Sequence, residues 1–285
     1  MILSTVMGAI LAGQAAGGNI TVSAVQMRTN CTLEENTKKI CRYIQDLAAA
    51  ETQVVVFPEC AITGYEGLDF RAMDPGPVVK AQKTVAEACK KAQVWAIVGT
   101  PDWQGEKLYN TALVIDDKGR TVERYNKVFL AEKWPDPGDH IAVFDVAGIR
   151  CGLIICHDER YPELVRLQAM KDARIIFYIS HESGLSKPDK IGPYRAQIQA
   201  RAVENSVWVV QSNAPANKDN SGSNGHSRII QPDGNILVEA SIYDEQVVTA
   251  SIDPEKATGG LARKSLSCEF LREFWEEGLK VVEER

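Results

Sequence analysis

The chain has 285 residues, carries a formal net charge of −6, and is 45% hydrophobic and 25% charged. This composition is typical of a globular protein with a sizeable core, and it excludes disorder, collagen and a coiled coil as descriptions of the whole. The acidic balance disfavours binding to a phosphate backbone. We therefore expect a small-molecule ligand rather than a nucleic acid.

The start of the chain and the cysteines bear on location. Residues 1–18 are apolar, rich in small side chains and uncharged. They lack the positive segment of a secretory signal and are too short for a membrane span. We interpret them as a loose extension before a single domain over residues 19–285, with export as the alternative. The seven cysteines are odd in number and have no framework spacing, which favours a reducing, cytoplasmic location without membrane attachment.

The first half of the chain alternates strand and helix patterns before two hairpins. Thr32 and Glu35 form a capping box before an amphipathic helix that ends near Ala50. A second helix is predicted over residues 79–92. The predicted strands cover residues 20–27, 53–57, 94–99, 111–115, 121–128, 141–146 and 149–156.

The second half repeats this order. The predicted helices cover residues 162–171, 194–205 and 268–284, and the predicted strands cover residues 174–180, 207–212, 228–231, 235–240 and 246–252. Two mixed sheets packed face to face, with helices outside both, would satisfy this burial pattern. The sequence therefore predicts an α/β fold.

Cys156 ends an apolar strand shortly before a helix that starts at Pro162. Open α/β sheets place their ligands at such a strand end, where turn N–H groups can receive a developing oxyanion. His157 follows directly, and on extended backbone its ring would point away from the thiol. We expect His157 to supply its N–H group and to line a pocket. The alternative is that Cys156 is a small buried apolar residue.

Glu59 and Lys127 are ionisable groups at the ends of two other apolar strands. A carboxylate is costly to bury unless it is paired or used, and burial would raise the pKa of Glu59 toward that of a general base. Near Cys156, Lys127 would lower the pKa of the thiol and stabilise an oxyanion. The alternatives are a surface carboxylate and a lysine that reaches solvent at a sheet edge.

Four segments resemble the nitrilase, or carbon–nitrogen hydrolase, superfamily in their order and spacing. They are Phe57-Pro58-Glu59, Tyr125-Asn-Lys127-Val, Pro137-Gly138-Asp139 and Gly152-Leu-Ile-Ile-Cys156-His-Asp-Glu-Arg-Tyr-Pro-Glu163. The resemblance extends over about residues 20–252. It implies a four-layer α-β-β-α sandwich, and a homodimer or larger homo-oligomer formed through the helices near the nucleophile.

The resemblance also implies a catalytic triad of Glu59, Lys127 and Cys156, without a metal or an organic cofactor. Family members often carry a second glutamate before the Pro-Gly-Asp segment. Glu132 is the best match for it in this chain, and Asp136 is the alternative.

The residues after Cys156 resemble aliphatic amidases and N-carbamoyl amine or amino-acid hydrolases more than nitrilases, which have Trp-Glu where this chain has His157-Asp158. We therefore predict a hydrolase of a small linear amide or N-carbamoyl compound, in preference to a nitrile. The alternatives are a catalytically idle scaffold that binds partners and a Cys–His hydrolase.

Loops after the strand ends supply the candidate substrate-binding residues, which are Tyr65, His157, His181, Glu182 and Ser183. Glu182 would favour a substrate with a cationic tail. Arg160 or Arg195 would instead hold a carboxylate.

Overall fold

The computed structural model describes residues 18–29, 32–182 and 187–285, and these form two mixed sheets with helices. The strands are β1 (Ile20–Gln26), β2 (Val54–Val56), β3 (Trp95–Gln104), β4 (Lys107–Ile115), β5 (Thr121–Asn126), β6 (Ile141–Val146), β7 (Ile149–Ile155), β8 (Ile175–Ser180), β9 (Trp208–Asn213), β10 (Arg228–Ile230), β11 (Ile236–Glu239), β12 (Gln246–Ile252) and β13 (Val282–Glu284). The helices are α1 (Leu33–Ala49), α2 (Pro75–Ala92), α3 (Pro162–Met170), α4 (Pro188–Val203), α5 (Gly260–Lys264) and α6 (Glu269–Leu279).

The sheets have the strand orders β12-β1-β2-β3-β4-β5 and β11-β10-β9-β8-β7-β6-β13. They pack face to face through contacts of β1 and β2 with β9. Strand β2 shows how the layers arise from its sequence. Val54 and Val56 face the second sheet, whereas Val55 packs with Ile40 of α1 and Val85 of α2, because successive side chains of a strand point to opposite faces.

Helices α3 and α4 cover the outer face of the second sheet through contacts with β7 and β9. The α/β fold and the four-layer α-β-β-α sandwich are therefore confirmed. The predicted capping box is also present, since the Thr32 hydroxyl accepts the N–H of Glu35 and the Glu35 carboxylate accepts the N–H of Thr32.

Parallel pairing brings the candidate catalytic segments to strand ends. Strands β7, β8 and β9 are mutually parallel, as are β1, β2 and β3. Cys156 directly follows β7, and His181 directly follows β8. Glu59 follows β2 in the other sheet, so the candidate residues come from both halves of the sandwich.

Several element boundaries differ from the prediction. Strand β3 continues to Gln104 and turns at Gly105, whose φ of +64° suits glycine, directly into β4. Helices α2 and α4 begin earlier than predicted, at proline residues that the apolar periodicity does not register.

The predicted helix over residues 268–284 is wrong at its end. Helix α6 stops at Leu279, and Val282–Glu284 forms β13, parallel to β6 with Val282 opposite Ile141. The β-branched Val282 is a better strand former than helix former, and this register buries it against the open edge of β6.

Two further predictions concern the termini and the assembly. The extension proposed over residues 1–18 lies, apart from Gly18, outside the described residues. None of the described helices is long and apolar enough to cross a bilayer. The homo-oligomer through the helices near Cys156 stays a prediction. Phe270 and Phe274 of α6, a helix that contacts α3, are exposed.

Candidate active site

Glu59 lies in a tight turn after β2 and is fully buried. The turn packs directly against Gly99 of β3. A Cβ atom at position 99 would lie 2.4 Å from the Pro58 carbonyl oxygen, 2.5 Å from the Cys60 nitrogen and 2.7 Å from the Glu59 Cα. Only glycine therefore permits this approach, which aims the Glu59 carboxylate into the space between the sheets.

Lys127, which follows β5, joins two carboxylates in a buried network. Its Nζ donates to Oε1 of Glu59 at 2.9 Å and to Oε1 of Glu132 at 2.6 Å. Asn110 of β4 donates Nδ2 to Glu59 Oε1 at 2.7 Å, and the Tyr65 hydroxyl donates to Glu132 Oε1 at 2.5 Å. Neutral donors thus complete the hydrogen bonding of both acids.

The loop before the Pro-Gly-Asp segment offers two acids, and the structure brings only one of them to Lys127. That acid is Glu132. Asp136 instead accepts the N–H of Leu108 at 3.0 Å and a guanidinium hydrogen bond from Arg71 at 3.3 Å. Of the two alternatives, Glu132 is therefore the second acid of this site.

The ionisation of the network follows from burial and mutual charge. Burial raises the pKa of Glu59, against the opposing pull of the Lys127 ammonium. Burial alone would lower the pKa of Lys127, but the negative groups around it, Glu59 foremost, raise this pKa well above its ordinary value. Burial also acts to raise the pKa of Glu132, yet the adjacent Lys127 charge holds it below the ordinary range.

Cys156 begins a turn of 3₁₀ helix, Cys156–Arg160, and has a φ of +42°. A non-glycine residue in this left-handed region is strained and needs outside support. The Asp158 carboxylate supplies it by accepting the N–H of Ile155 at 3.0 Å, the N–H of Phe129 at 2.8 Å and the Tyr125 hydroxyl at 2.9 Å. The turn is thereby anchored to the segment that carries Lys127.

The expectation of extended backbone at His157 is wrong because of this turn. The His157 ring nevertheless lines the cavity above Cys156 and packs edge-on against Tyr161, with ring centroids 5.8 Å apart. Burial lowers the pKa of His157, and the nearby Arg160 charge lowers it further. The ring is therefore neutral at neutral pH.

The Cys156 side chain is partly exposed in the cavity, and its thiol stays protonated at rest. Burial raises the thiol pKa well above its ordinary value, and the Glu59 charge raises it further. Lys127 lowers the pKa, as expected from the sequence, but burial and the carboxylates outweigh it. The thiol therefore needs a base to become a nucleophile.

His181 links the thiol to Glu59 through its backbone. Its N–H donates to Glu59 Oε2 at 2.8 Å, and its carbonyl oxygen lies 3.9 Å from the Cys156 sulfur. Its ring stacks on Tyr65 with centroids 4.5 Å apart. Cys156, His181 and Tyr65 line a cavity of about 610 Å³, together with Glu182, whereas Ser183 lies outside the described residues.

The charged residues proposed to hold the substrate's tail differ in availability. Arg195 is paired with Glu239 at 2.6 Å and is not part of the cavity wall. Arg160 is part of that wall, and its guanidinium lies 5.1 Å from the Tyr194 ring centroid. No carboxylate of the described residues lies within 4.0 Å of the Arg160 nitrogens.

Glu182 is buried, with its carboxylate already bonded to protein donors. It accepts from the Gln211 amide at 2.7 Å, the Asn224 amide at 2.9 Å and the Tyr178 hydroxyl at 3.1 Å. These donors occupy the positions that a cationic substrate tail would need. As for metals, no group of three or more His, Cys, Asp or Glu side chains in the described ranges is arranged to hold an ion.

Sequence reasoning missed the roles of Asn110, Gly99 and Asp158. Asn110 had a signal, because it is a polar residue within an apolar strand that has to find a buried partner. Asp158 accepts two backbone N–H groups and a tyrosine hydroxyl, and it carries the same signal, since its buried carboxylate must find partners.

The chain is similar in sequence to known proteins. The carbon-nitrogen hydrolase family model matches residues 21–259. The chain is 26% identical over 250 residues to human omega-amidase NIT2, covering 82% of this chain and 89% of the relative. It is 30% identical over 231 residues to the 2-oxoglutaramate amidase of Bacillus subtilis, covering 78% and 86%.

Solved structures share the fold. Saccharomyces cerevisiae Nit3, a member of branch 10 of the nitrilase superfamily, superposes with a TM-score of 0.76 at 25% identity, covering 88% of this chain and 96% of that one. An amidase from Nesterenkonia AN1 superposes with a TM-score of 0.78 at 19% identity, covering 91% and 98%.

Gly99→Ala tests how Glu59 is placed. The new Cβ would overlap backbone atoms of the turn, so we expect kcat/KM to fall at least about tenfold and the unfolding free energy to drop by about 1–3 kcal/mol. Steady-state kinetics and urea unfolding measure both. Gly192→Ala is the control, since nothing lies within 4 Å of a Cβ there. Wild-type activity and stability in Gly99→Ala would contradict the close approach.

Proposed function

Because the chain belongs to the carbon–nitrogen hydrolase family, we propose that it cleaves the carbon–nitrogen bond of a small linear amide through a thioester on Cys156. The observation that carries this proposal is the buried network of Glu59, Lys127 and Glu132 beside a protonated thiol on a cavity wall. The relatives named amidases support the choice of an amide.

The first step is attack by sulfur. Glu59 takes the proton of Cys156, and the thiolate bonds to the amide carbonyl carbon. Glu59 suits this role because burial raises its pKa, which makes the carboxylate a stronger base toward the thiol proton. The His181 N–H bond to its Oε2 fixes the carboxylate orientation.

The second step is stabilisation of the tetrahedral oxygen. The Lys127 ammonium has three N–H groups, and Glu59 and Glu132 accept from it, which leaves donor capacity for an oxyanion. The N–H of His157, which directly follows Cys156, is the second donor in our proposal. Glu132 acts here as a positioning residue for Lys127.

The third step is release and hydrolysis. Protonated Glu59 donates its proton to the departing ammonia or amine as the carbon–nitrogen bond breaks. A water molecule, deprotonated by Glu59, then attacks the thioester, releases the acid and restores the thiol. Every proton in this cycle is carried by Glu59 and water.

For the substrate's tail we propose a carboxylate, held by Arg160. Its guanidinium faces the cavity without a carboxylate partner among the described residues, and such a charge favours an anionic group. The relative named 2-oxoglutaramate amidase supports an acid-bearing amide. N-carbamoyl acids carry the same tail, so they belong in the substrate panel.

Replacing the nucleophile and base tests the mechanism. Cys156→Ala and Glu59→Gln should each lower ammonia release from an amide panel at least about 1,000-fold, because each removes a group that acts in every turnover. Wild-type enzyme quenched in acid should carry the acyl mass on Cys156 by intact mass spectrometry, and Cys156→Ala should not.

His157→Ala is the matched control, and it should retain activity within about tenfold because its ring is not the base. If His157→Ala abolishes acylation while Glu59→Gln does not, the protein is a Cys–His hydrolase. If the protein hydrolyses no amide, N-carbamoyl compound or nitrile and Cys156 is unreactive, it is instead a catalytically idle scaffold.

Arg160→Met tests the substrate tail. It should raise KM for the monoamide of glutaric acid about 10- to 100-fold through loss of a charge-assisted contact, and leave KM for uncharged pentanamide unchanged. Arg195→Met is the control, because Arg195 lies outside the cavity wall. An equal rise in KM for both amides would contradict the proposal that Arg160 binds the substrate carboxylate.

A further inference from the structure

Two buried carboxyl groups behind Cys156 have no part in the mechanism above. Glu159 and Glu182 are 2% and 3% exposed, and both border the cavity. The fully buried Tyr178 hydroxyl lies between them, 2.9 Å from Glu159 Oε2 and 3.1 Å from Glu182 Oε1. It also lies 3.4 Å from the Cys156 carbonyl oxygen.

The hydrogen bonds of the Tyr178 hydroxyl indicate which of the two carboxyl groups is protonated. A tyrosine hydroxyl has one hydrogen, so it can donate to one carboxyl oxygen and must accept from the other. Glu182 already accepts from Gln211 and Asn224, which identifies it as the anion. Glu159 is therefore the group that carries the proton. Burial raises the pKa of Glu159 well above its ordinary value, and the Glu182 charge adds to this effect.

The other charged groups around the pair come from three elements. Arg160 is the next residue on the turn, and Arg201 of α4 donates its Nε to the Glu159 carbonyl oxygen at 2.8 Å. Arg228 of β10 interacts electrostatically with Glu182 and forms an ion pair with Glu239. The charges of Arg160 and Arg201 favour ionised Glu159, but burial and the Glu182 charge act more strongly.

We propose that Glu159 determines tail specificity: its neutral form leaves the Arg160 charge free for a substrate carboxylate, and its ionised form repels that carboxylate. This inference rests on the proposed amidase function. It follows from position, because Glu159 and Arg160 are adjacent and line the same cavity. A second anion there would compete for the guanidinium and oppose an acidic tail.

The test compares two amides that differ only in the tail. The ratio of kcat/KM for glutaric acid monoamide to that for pentanamide is measured between about pH 5.5 and pH 9.5, where the substrate carboxylate stays ionised. Titration of Glu59 or Cys156 affects both amides and cancels in the ratio. Protonated Glu159 is lost as pH rises, so the wild-type ratio should fall about tenfold.

Three variants sharpen the test. Glu159→Gln should keep the ratio at its acidic-side value throughout, since glutamine cannot ionise. Glu182→Gln removes the neighbouring charge that holds the proton on Glu159, so the fall should begin at a lower pH. Glu163→Gln makes the same substitution at the exposed start of α3, and its ratio should depend on pH as the wild-type ratio does.

The outcomes separate this inference from the proposed function. If wild-type enzyme hydrolyses both amides at a ratio independent of pH, or if Glu159→Gln retains the fall, the role of Glu159 is overturned and the amidase stands. Hydrolysis of neither amide overturns the amidase, and the inference with it. If Glu159→Gln does not fold, the role of Glu159 is judged from the pH dependence of the ratio in the wild type and from its shift to lower pH in Glu182→Gln. Without that shift, the role of Glu159 is overturned.

Discussion

The arrangement depends on one buried cation. Lys127 is fully buried and lies between Glu59 and Glu132, so protein groups must stabilise its ammonium. Desolvating such an ion costs several kcal/mol, and the attraction of two carboxylates offsets this only when the remaining polar atoms are also bonded. Asn110, Tyr65 and the backbone of His181 supply those bonds.

This constraint explains why distant segments meet at one place. The partners of Lys127 come from the end of β2 and from the loop after β5. The supporting donors come from the segment after Glu59, from β4 and from the end of β8. Both sheets therefore contribute to the same network, and the sandwich must close for the charges to be satisfied. Gly99 matters for the same reason, because it lets the Glu59 turn lie close against β3.

The sequence allowed much of this to be predicted. Glu59, Lys127 and Cys156 are recognisable because each interrupts an apolar strand end with an ionisable or nucleophilic group inside a recurring segment. The α/β layering follows from local periodicity, and the two-faced burial of β2 follows from its continuous valines.

The rest depends on contacts between remote residues. The left-handed Cys156 and the turn that follows require Asp158 to accept from Phe129, a residue 29 positions away that no local pattern identifies. The link between Glu159 and Glu182 likewise exists only because β8 brings the Tyr178 hydroxyl between them. The end of α6 was mispredicted because the open edge of β6 overrides helical periodicity.

The most direct measurement of the central claim is the rate at which Cys156 acquires an acyl group in Lys127→Met, followed by rapid-quench mass spectrometry, with folding verified by circular dichroism. We expect a folded protein whose acylation is slowed at least about 1,000-fold, because Glu59 is no longer held and the oxyanion loses its cation. Lys133→Met, which replaces an exposed lysine on the same loop, should acylate normally. Acylation of Lys127→Met within about tenfold of the wild-type rate would show that the reaction does not depend on this cation.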